Sequence, residues 1–233
     1  MSLDLSGVPP AVAGSFAGGA RLIGDAPHLA IHTGLRSIER LRLPATTRHE
    51  IQVGILTERI CARLGFSTAD CAAYRFAAEL HDIGKLVLPD AVLQKQGRLT
   101  AEEYRIVQQH APLGHAILSA FGEPGLHLAT QVALSHHERW DGSGYPEGRR
   151  GEDIPIGARV VAVCDVYSAL REWRPYKRSL SHAEALDLVL RGDPTREGVG
   201  SMHFDPALVR LLAEEPGLFD IDYQIPPALS AAP

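Results

Sequence analysis

The adjacent pair His81-Asp82 offers one imidazole nitrogen and one carboxylate, a mixed set of donors for chemistry. Such a set suits divalent ions such as iron, manganese or zinc. Alone, a His-Asp pair is more often a feature of a helix end than a metal site. Other candidate ligands are spread along the chain: His49, His110, His136, His137 and Asp165. A metal site therefore requires a fold that brings distant residues together.

The elements that must position these residues are predicted to be helices. Apolar residues recur at helical spacing from 28 to 43 and from 47 to 64, where Pro44 and Gly65 suit the helix ends. Further helices are predicted over 67–80, 100–121, 128–137, 156–170, 181–190 and 206–212. The candidate ligands lie on, or at the end of, such helices, so a bundle could aim all of them at one point.

The fold class predicted from this pattern is all-α, a helical bundle, because no strand and no internal repeat is evident. Residues 1–27 are rich in Gly, Ala, Ser and Pro without periodicity and are expected to be a flexible N-terminal segment. The helical domain is predicted over 28–222, followed by a Pro-rich tail over 223–233.

Composition and charge exclude several classes of protein. The net charge of -5 provides no general basic field, so binding to a nucleic-acid polymer is not expected. No run approaches the ~20 apolar residues of a membrane span, and no membrane association is expected. Cys61, Cys71 and Cys164 lie among apolar neighbours without metal-ligand spacing, which favours reduced core residues and a cytoplasmic location.

Taken together, the motifs of this chain resemble those of the HD-GYP family of HD-superfamily phosphohydrolases over about residues 28–215. In order they are His49, His81-Asp82-Ile83-Gly84-Lys85, His110, His136-His137-Glu138, Asp141-Gly142-Ser143-Gly144-Tyr145-Pro146, Asp165 and Arg174-Pro175-Tyr176-Lys177. The resemblance implies an HD-type bundle with a dinuclear metal centre in its core, which hydrolyses cyclic di-GMP to linear pGpG, to GMP, or to both. It also implies metal ligation by His49, His81, Asp82, His110, His136, His137 and Asp165, with Asp82 as the bridge.

Two metal ions ~3.5 to 4 Å apart can activate water and clamp a phosphodiester, so that no side-chain nucleophile is needed. The resemblance places His81, Asp82 and Lys85 in catalysis, and Lys85 could neutralise phosphate charge or assist the leaving oxygen. The alternative for Lys85 is a solvated lysine at a helix end. The residues expected to contact the cyclic dinucleotide are Lys85, Gly144, Tyr145, Arg174 and Lys177, although Gly-Tyr-Pro alone is a common turn.

Two positions depart from the family pattern. Some members have a glutamate, associated with a third metal, where this chain has Ala45, so two divalent ions are expected. Iron or manganese is favoured, with zinc, nickel or magnesium as alternatives. Ser168 stands where the family usually has an aspartate. A weakly active or inactive sensor or adaptor that binds a cyclic dinucleotide, and an enzyme for another nucleotide such as cyclic GMP-AMP, therefore stay open.

The remaining side chains have less specific expectations. Glu138 could orient a neighbouring histidine. A homodimer or a signalling-protein partner is also left open. The histidines without a motif role are expected to be ordinary surface or structural residues: His28, His32, His115, His127, His182 and His203.

Overall fold

The computed structural model describes residues 27–44, 46–172, 179–192 and 200–221. Within these ranges the chain forms helices and turns and no strand, so the predicted all-α class is confirmed. Ala45, Arg174, Lys177 and most of both predicted terminal segments lie outside the described residues. In the described part, no helix is long and apolar enough to cross a membrane.

The helices follow the predicted order with small differences at their ends. They are α1 Pro27–Arg42, α2 Thr47–Arg63, α3 Thr68–Ala78, α4 Asp90–Leu93, α5 Ala101–Gln108, α6 His110–Ser119, α7 His127–Ser135, α8 Ile156–Arg171, α9 His182–Arg191 and α10 Pro206–Glu214. Short 3-10 turns lie between them at Ile83–Val87, Pro124–Leu126, Gly151–Asp153, Ser201–His203 and Pro216–Phe219. The short helix α4 and these turns were not predicted.

Local capping explains why several helices begin where the sequence predicts. The Ser67 side chain accepts a hydrogen bond from the Asp70 amide at the start of α3. Thr100 and Glu103 form a capping box at α5. Ser181 and Glu184 form another at α9. Each pair satisfies backbone N–H groups that the first helical turn leaves without intrahelical partners.

The predicted continuous helix over 100–121 is wrong, because the chain breaks at Gln109 into α5 and α6. Pro112 supplies the physical reason: it has no N–H to donate, and its ring conflicts with the carbonyl four residues earlier. The break places His110 at the first position of α6 rather than inside a long helix.

Helix α8 lies at the centre of the domain and packs against α2, α7 and α9. Its buried residues include Val160, Val161, Ala162, Val163 and Cys164, which are consecutive and therefore lie on all sides of the helix. A helix that is apolar nearly all round is expected to be surrounded by protein. The central position of α8 brings its few polar side chains, including Asp165, to where the other helices converge.

Helix α1 is attached to α2 by a buried charged cluster, which we call the arginine cluster: Arg36, Glu39 and Glu50. Arg36 Nη1 donates to Glu39 Oε2 at 2.5 Å and also to Glu50 Oε2. The same guanidinium donates to the backbone carbonyls of Glu79 and Thr47. Burial and the Glu50 carboxylate raise the pKa of Glu39 to about 8, although Arg36 opposes this. The cluster therefore carries its own cation and retains a proton near neutral pH.

Candidate metal centre

The His81-Asp82 pair follows α3 in a tight turn rather than in a continuing helix. Helix α3 ends at Ala78, and a 3-10 turn begins at Ile83. A Cβ atom on Gly84 would lie 1.9 Å from the His110 carbonyl oxygen and 2.5 Å from the Gly114 amide nitrogen. Only glycine permits this approach, because any other residue would collide with the backbone. The turn thus packs directly against the start of α6 and brings Asp82 close to His110.

Seven predicted ligands assemble into two groups whose donor atoms lie within 4.8 Å of one another in each group. One group is Asp82, His110, His136 and His137, and the other is His49, His81 and Asp165.

Asp82 lies between the two groups, as expected for a bridge. Its Oδ1 is 3.3 Å from His110 Nε2 and 3.8 Å from His136 Nε2. Its Oδ2 is 3.4 Å from His81 Nε2. In the second group, Asp165 Oδ1 lies 2.8 Å from His49 Nε2 and 3.9 Å from His81 Nε2. The four histidines therefore direct their Nε2 atoms towards the two carboxylates.

Backbone carbonyls of the preceding helical turn orient three of the histidines. A carbonyl can only accept a hydrogen bond, so a nearby Nδ1 must carry a proton, and Nε2 has the lone pair whenever the ring is neutral. Carbonyls near a helix C-terminus are available for this role. The pairs are His81 Nδ1 with Ala78 O, His110 Nδ1 with Val107 O, and His136 Nδ1 with Val132 O and Ala133 O, at 2.6 to 3.1 Å.

His49 is oriented by a side chain instead. Its Nδ1 lies 3.0 Å from Ser168 Oγ, and Ser168 is fully buried on α8 one turn after Asp165. The serine that departs from the family pattern thus supports a candidate ligand through a hydrogen bond. Partners of this kind fix the orientation of a metal-binding imidazole.

The donor set fits a bound cation. Two buried atoms, His81 Nε2 and Asp82 Oδ1, have no hydrogen-bond partner among the described residues. Buried polar atoms without partners are costly, and a metal ion would satisfy both. The centre also holds two carboxylates, those of Asp82 and Asp165. Lys85 forms an ion pair with Asp82 Oδ2.

Electrostatics favour the protonation states that metal binding requires at Asp82, Asp165 and His137, but not at His81. Burial opposes ionisation of Asp82, but Lys85 and His81 hold its pKa well below the usual range. Burial likewise opposes ionisation of Asp165, but His49 lowers its pKa. Burial, His110 and Lys85 lower the pKa of His137 to about 3. Burial lowers the pKa of His81, yet Asp82 and Asp165 outweigh it and raise that pKa to about 9. A metal would therefore displace one proton, from His81.

The loop after His137 packs closely over the centre. A Cβ on Gly144 would lie 2.4 Å from the Arg139 amide nitrogen and 2.5 Å from the His137 carbonyl oxygen, so close approach requires glycine there. The Tyr145 amide donates to His137 O at 3.2 Å. The Tyr145 ring packs on the His137 ring, with centroids 4.7 Å apart. Tyr145 is thereby held beside a candidate ligand.

Glu138 has a different role from the one expected. Its buried carboxylate accepts hydrogen bonds from the backbone amides of Glu147 and Arg149, at 2.8 and 3.0 Å. It therefore holds the loop that contains Tyr145 in place, and among the described residues it makes no hydrogen bond to a histidine. The position of Glu138 beside two histidines in the sequence did not predict its contacts with the amides of Glu147 and Arg149.

A cavity of about 400 Å³ opens onto the first ligand group and is lined by Lys85, Tyr145 and Asp165 among others. This volume lies within the range of small-molecule sites. Among the residues that also line it, three polar ones were missed by sequence reasoning: Tyr104, Arg139 and His203. His203 had been expected to be an ordinary histidine. It comes from the far end of the chain, and nothing in its local spacing indicates the contact.

Comparison with known proteins agrees with this geometry. A family model described as "HD domain" matches residues 35–208. A cyclic di-GMP phosphodiesterase of Thermotoga maritima is 45% identical over 151 residues, which are 65% of this chain and 41% of that protein. A 3'3'-cGAMP-specific phosphodiesterase of Vibrio cholerae is 36% identical over 169 residues, which are 72% of this chain and 31% of that protein.

The chain spans less than half the length of both curated relatives. Among solved structures, Bd1817 of Bdellovibrio bacteriovorus, described as an HDG"Y"P protein, matches with a TM-score of 0.56 at 19% identity. That match covers 72% of this chain and 53% of Bd1817, and it supports the fold. The helical architecture, the ordered motifs and the match to the family model together show that the chain belongs to the HD domain family.

Proposed function

We propose that this chain is a metal-dependent phosphodiesterase that hydrolyses a cyclic dinucleotide, with cyclic di-GMP as the first candidate. The observation that supports the proposal is the convergence of seven donor side chains, four of which line a cavity that Lys85 and Tyr145 also line. Bound metal ions in such a centre supply a water nucleophile and charge stabilisation for phosphodiester cleavage.

We infer two divalent ions, held by the two ligand groups with Asp82 between them. Histidine and carboxylate donors accept iron or manganese, and also zinc, nickel or magnesium. Lys85 offsets the charge of Asp82 and has room to contact a phosphate oxygen from the cavity wall. Tyr145 offers a ring surface or a hydroxyl to the substrate. Arg174 and Lys177 are proposed, from the sequence pattern, to bind the second phosphate.

The test combines metal analysis with product detection. Protein purified without oxygen and loaded with iron or manganese is expected to convert cyclic di-GMP to pGpG, GMP or both, measured by chromatography. His81→Ala and Asp82→Ala should lose metal and turnover together, whereas His127→Ala, which alters an exposed histidine on α7, should keep both. Metal-loaded protein that cleaves no cyclic dinucleotide would refute the proposal.

Two alternatives have specific support. The match to a cGAMP-specific phosphodiesterase favours cyclic GMP-AMP as a second substrate, which competition between the two dinucleotides would detect. Ser168, in place of the family's aspartate, favours slow turnover and a sensor or adaptor role. Tight binding without product over hours, together with a gain of turnover in Ser168→Asp, is the result expected for that role.

A further inference from the structure

The segment before α10 brings His203 to the wall of the candidate metal cavity. Within the turn Ser201–His203, the His203 carbonyl accepts a hydrogen bond from the Trp140 amide at 2.9 Å. Two residues after His203, Asp205 Oδ2 lies 2.6 Å from Arg159 Nη1 of α8. The backbone on both sides of the His203 side chain is therefore fixed against the loop and the central helix.

The imidazole of His203 is paired with a carboxylate of the loop. Its Nδ1 is buried and lies 3.3 Å from Asp141 Oδ2. The side chain is 15% exposed, and this exposure belongs to atoms other than Nδ1. His203 lines the cavity, and Nε2 is the ring nitrogen that is not next to Asp141. A carboxylate can only accept a hydrogen bond, so its position beside Nδ1 favours a ring with a proton on Nδ1.

Asp141 is itself held in place for this contact. Its Oδ1 accepts hydrogen bonds from the Ser143 amide at 2.9 Å and from the Ser143 hydroxyl at 2.7 Å. Burial opposes its ionisation, but these bonds and His203 lower the pKa of Asp141. The carboxylate therefore faces His203 as an anion with a defined orientation.

We propose that His203 is the general acid of the reaction and that Asp141 is its positioning residue. The inference rests on the phosphodiesterase function proposed above. A water oxygen forms a new bond to phosphorus, and the bond from phosphorus to the leaving ribose oxygen breaks with its electron pair going to that oxygen. In the proposed step His203 begins as the imidazolium, with a proton on each ring nitrogen, and gives its Nε2 proton to the leaving oxygen. The proton lost by the water passes to solvent, which then returns a proton to His203.

Four other ionisable groups in the cavity wall are less suited to this step. Glu138 is engaged by two backbone amides, and Asp165 is an ionised candidate ligand. The guanidinium of Arg139 does not give up a proton in proteins. Lys85 is paired with Asp82, so its charge is directed at the ligand carboxylate. His203 belongs to neither ligand group.

The experiment compares two substrates on the same preparations of metal-loaded protein. The leaving ribose oxygen of cyclic di-GMP needs a proton, whereas the nitrophenolate of bis(p-nitrophenyl) phosphate does not. His203→Gln is expected to lower kcat for cyclic di-GMP by ~10²-fold or more, the usual contribution of general acid catalysis. It should leave the nitrophenyl rate near the wild-type value. Asp141→Asn should show the same selectivity with a smaller loss.

The ratio of the two rates does not depend on the fraction of folded protein. Metal content should be unchanged in both variants, and His127→Gln serves as the matched exposed control. An equal loss on both substrates, or no loss on either, would overturn the role of His203. A selective loss of cyclic di-GMP cleavage in Lys85→Met, with no such loss in His203→Gln, would also overturn the role of His203.

A failure of the proposed function remains distinguishable from a failure of this inference. If the wild-type protein cleaves bis(p-nitrophenyl) phosphate but no cyclic dinucleotide, the proposed function is wrong. His203→Gln is then compared with wild type on aryl phosphodiesters of increasing leaving-group pKa. A loss that grows with leaving-group pKa supports His203 as the acid, and a constant loss refutes it.

Discussion

The metal centre and the arginine cluster are two buried polar clusters that include adjacent residues of α2, His49 and Glu50. The charges of the two clusters are balanced in different ways. His49 faces Asp165 and Ser168 on α8, whereas Glu50, the next residue, faces Arg36 on α1. The arginine cluster contains its own cation, which donates to both carboxylates and to two backbone carbonyls. The metal centre instead gathers several imidazoles around the carboxylates of Asp82 and Asp165, which is a set of metal-binding donors that the arginine cluster lacks. Both clusters leave two buried atoms without a hydrogen-bond partner: His81 Nε2 and Asp82 Oδ1 in the metal centre, and Glu39 Oε1 and Glu50 Oε1 in the arginine cluster.

This difference shows that burial of charge alone does not identify a functional site. A buried ion pair that satisfies itself can be purely structural. Convergent imidazole and carboxylate side chains, by contrast, form a donor set that a divalent metal ion can bind. The comparison therefore predicts that the arginine cluster governs stability without metal, and that the metal centre gains stability only when metal is added.

The largest effect is expected from removing the cation of the arginine cluster. Arg36→Ala leaves Glu39 and Glu50 buried without their partner and should lower the free energy of unfolding by about 3 to 5 kcal/mol. Urea unfolding of metal-free protein measures this loss. Arg40→Ala, on the exposed side of the same helix, is the matched control. Equal effects of the two substitutions would contradict the structural role of the arginine cluster.

A second effect concerns the pH dependence of stability. The pKa of Glu39 is raised from 4.5 to about 8, so between these values the folded state holds a proton that the unfolded state has released. Stability from this group is complete below pH 4.5 and is lost as the pH rises towards 8, with a slope of at most ~1.4 kcal/mol per pH unit.

Glu39→Gln mimics the protonated side chain and removes this contribution to the slope. The difference between the unfolding free energies of wild type and Glu39→Gln, followed from pH 5 to 8, isolates the effect. The variant should gain relative stability as the pH rises. A difference that stays constant with pH would show that Glu39 titrates normally.

Metal addition is expected to stabilise the other cluster. A metal at 100-fold its Kd should add about 2.7 kcal/mol to the stability of the wild-type fold. The rise in Tm on adding manganese to metal-free protein tests this. Glu39→Gln should keep the rise, and Asp82→Asn should lose it because the candidate bridge is then neutral. A rise of normal size in Asp82→Asn would exclude Asp82 as a ligand.

The smallest effect is expected at Ser168. Ser168→Ala removes the hydrogen bond to His49 Nδ1 and should weaken metal affinity by ~10-fold, the lower end for residues that orient ligands. Titration with a competing chelator measures it. Ser119→Ala, an exposed serine on α6, should have no effect. If both variants bind metal equally well, Ser168 does not position His49.

Local features of the fold were predictable because they depend on nearby residues. The capping boxes at Thr100 and Ser181 mark their helix starts, since the partners are three residues apart. The break at Gln109 was missed although Pro112 is a local signal, because the apolar pattern continues past it. The conformations of the turn that contains His81-Asp82 and Gly84, and of the loop at Gly144, depend on backbone contacts with other segments. No local sequence pattern encodes these contacts.

The sequence by itself determined which side chains can bind metal, because imidazole and carboxylate chemistry belongs to the residue type. It also determined the order of the motifs and the helical class. The tertiary structure decided which atoms face the centre, since the Nδ1 partners of His81 and His110 lie in particular helical turns. It alone joined Ser168 to His49, 119 residues away, and His203 to Asp141. Such contacts depend on how the helices pack, which residue spacing along the chain does not specify.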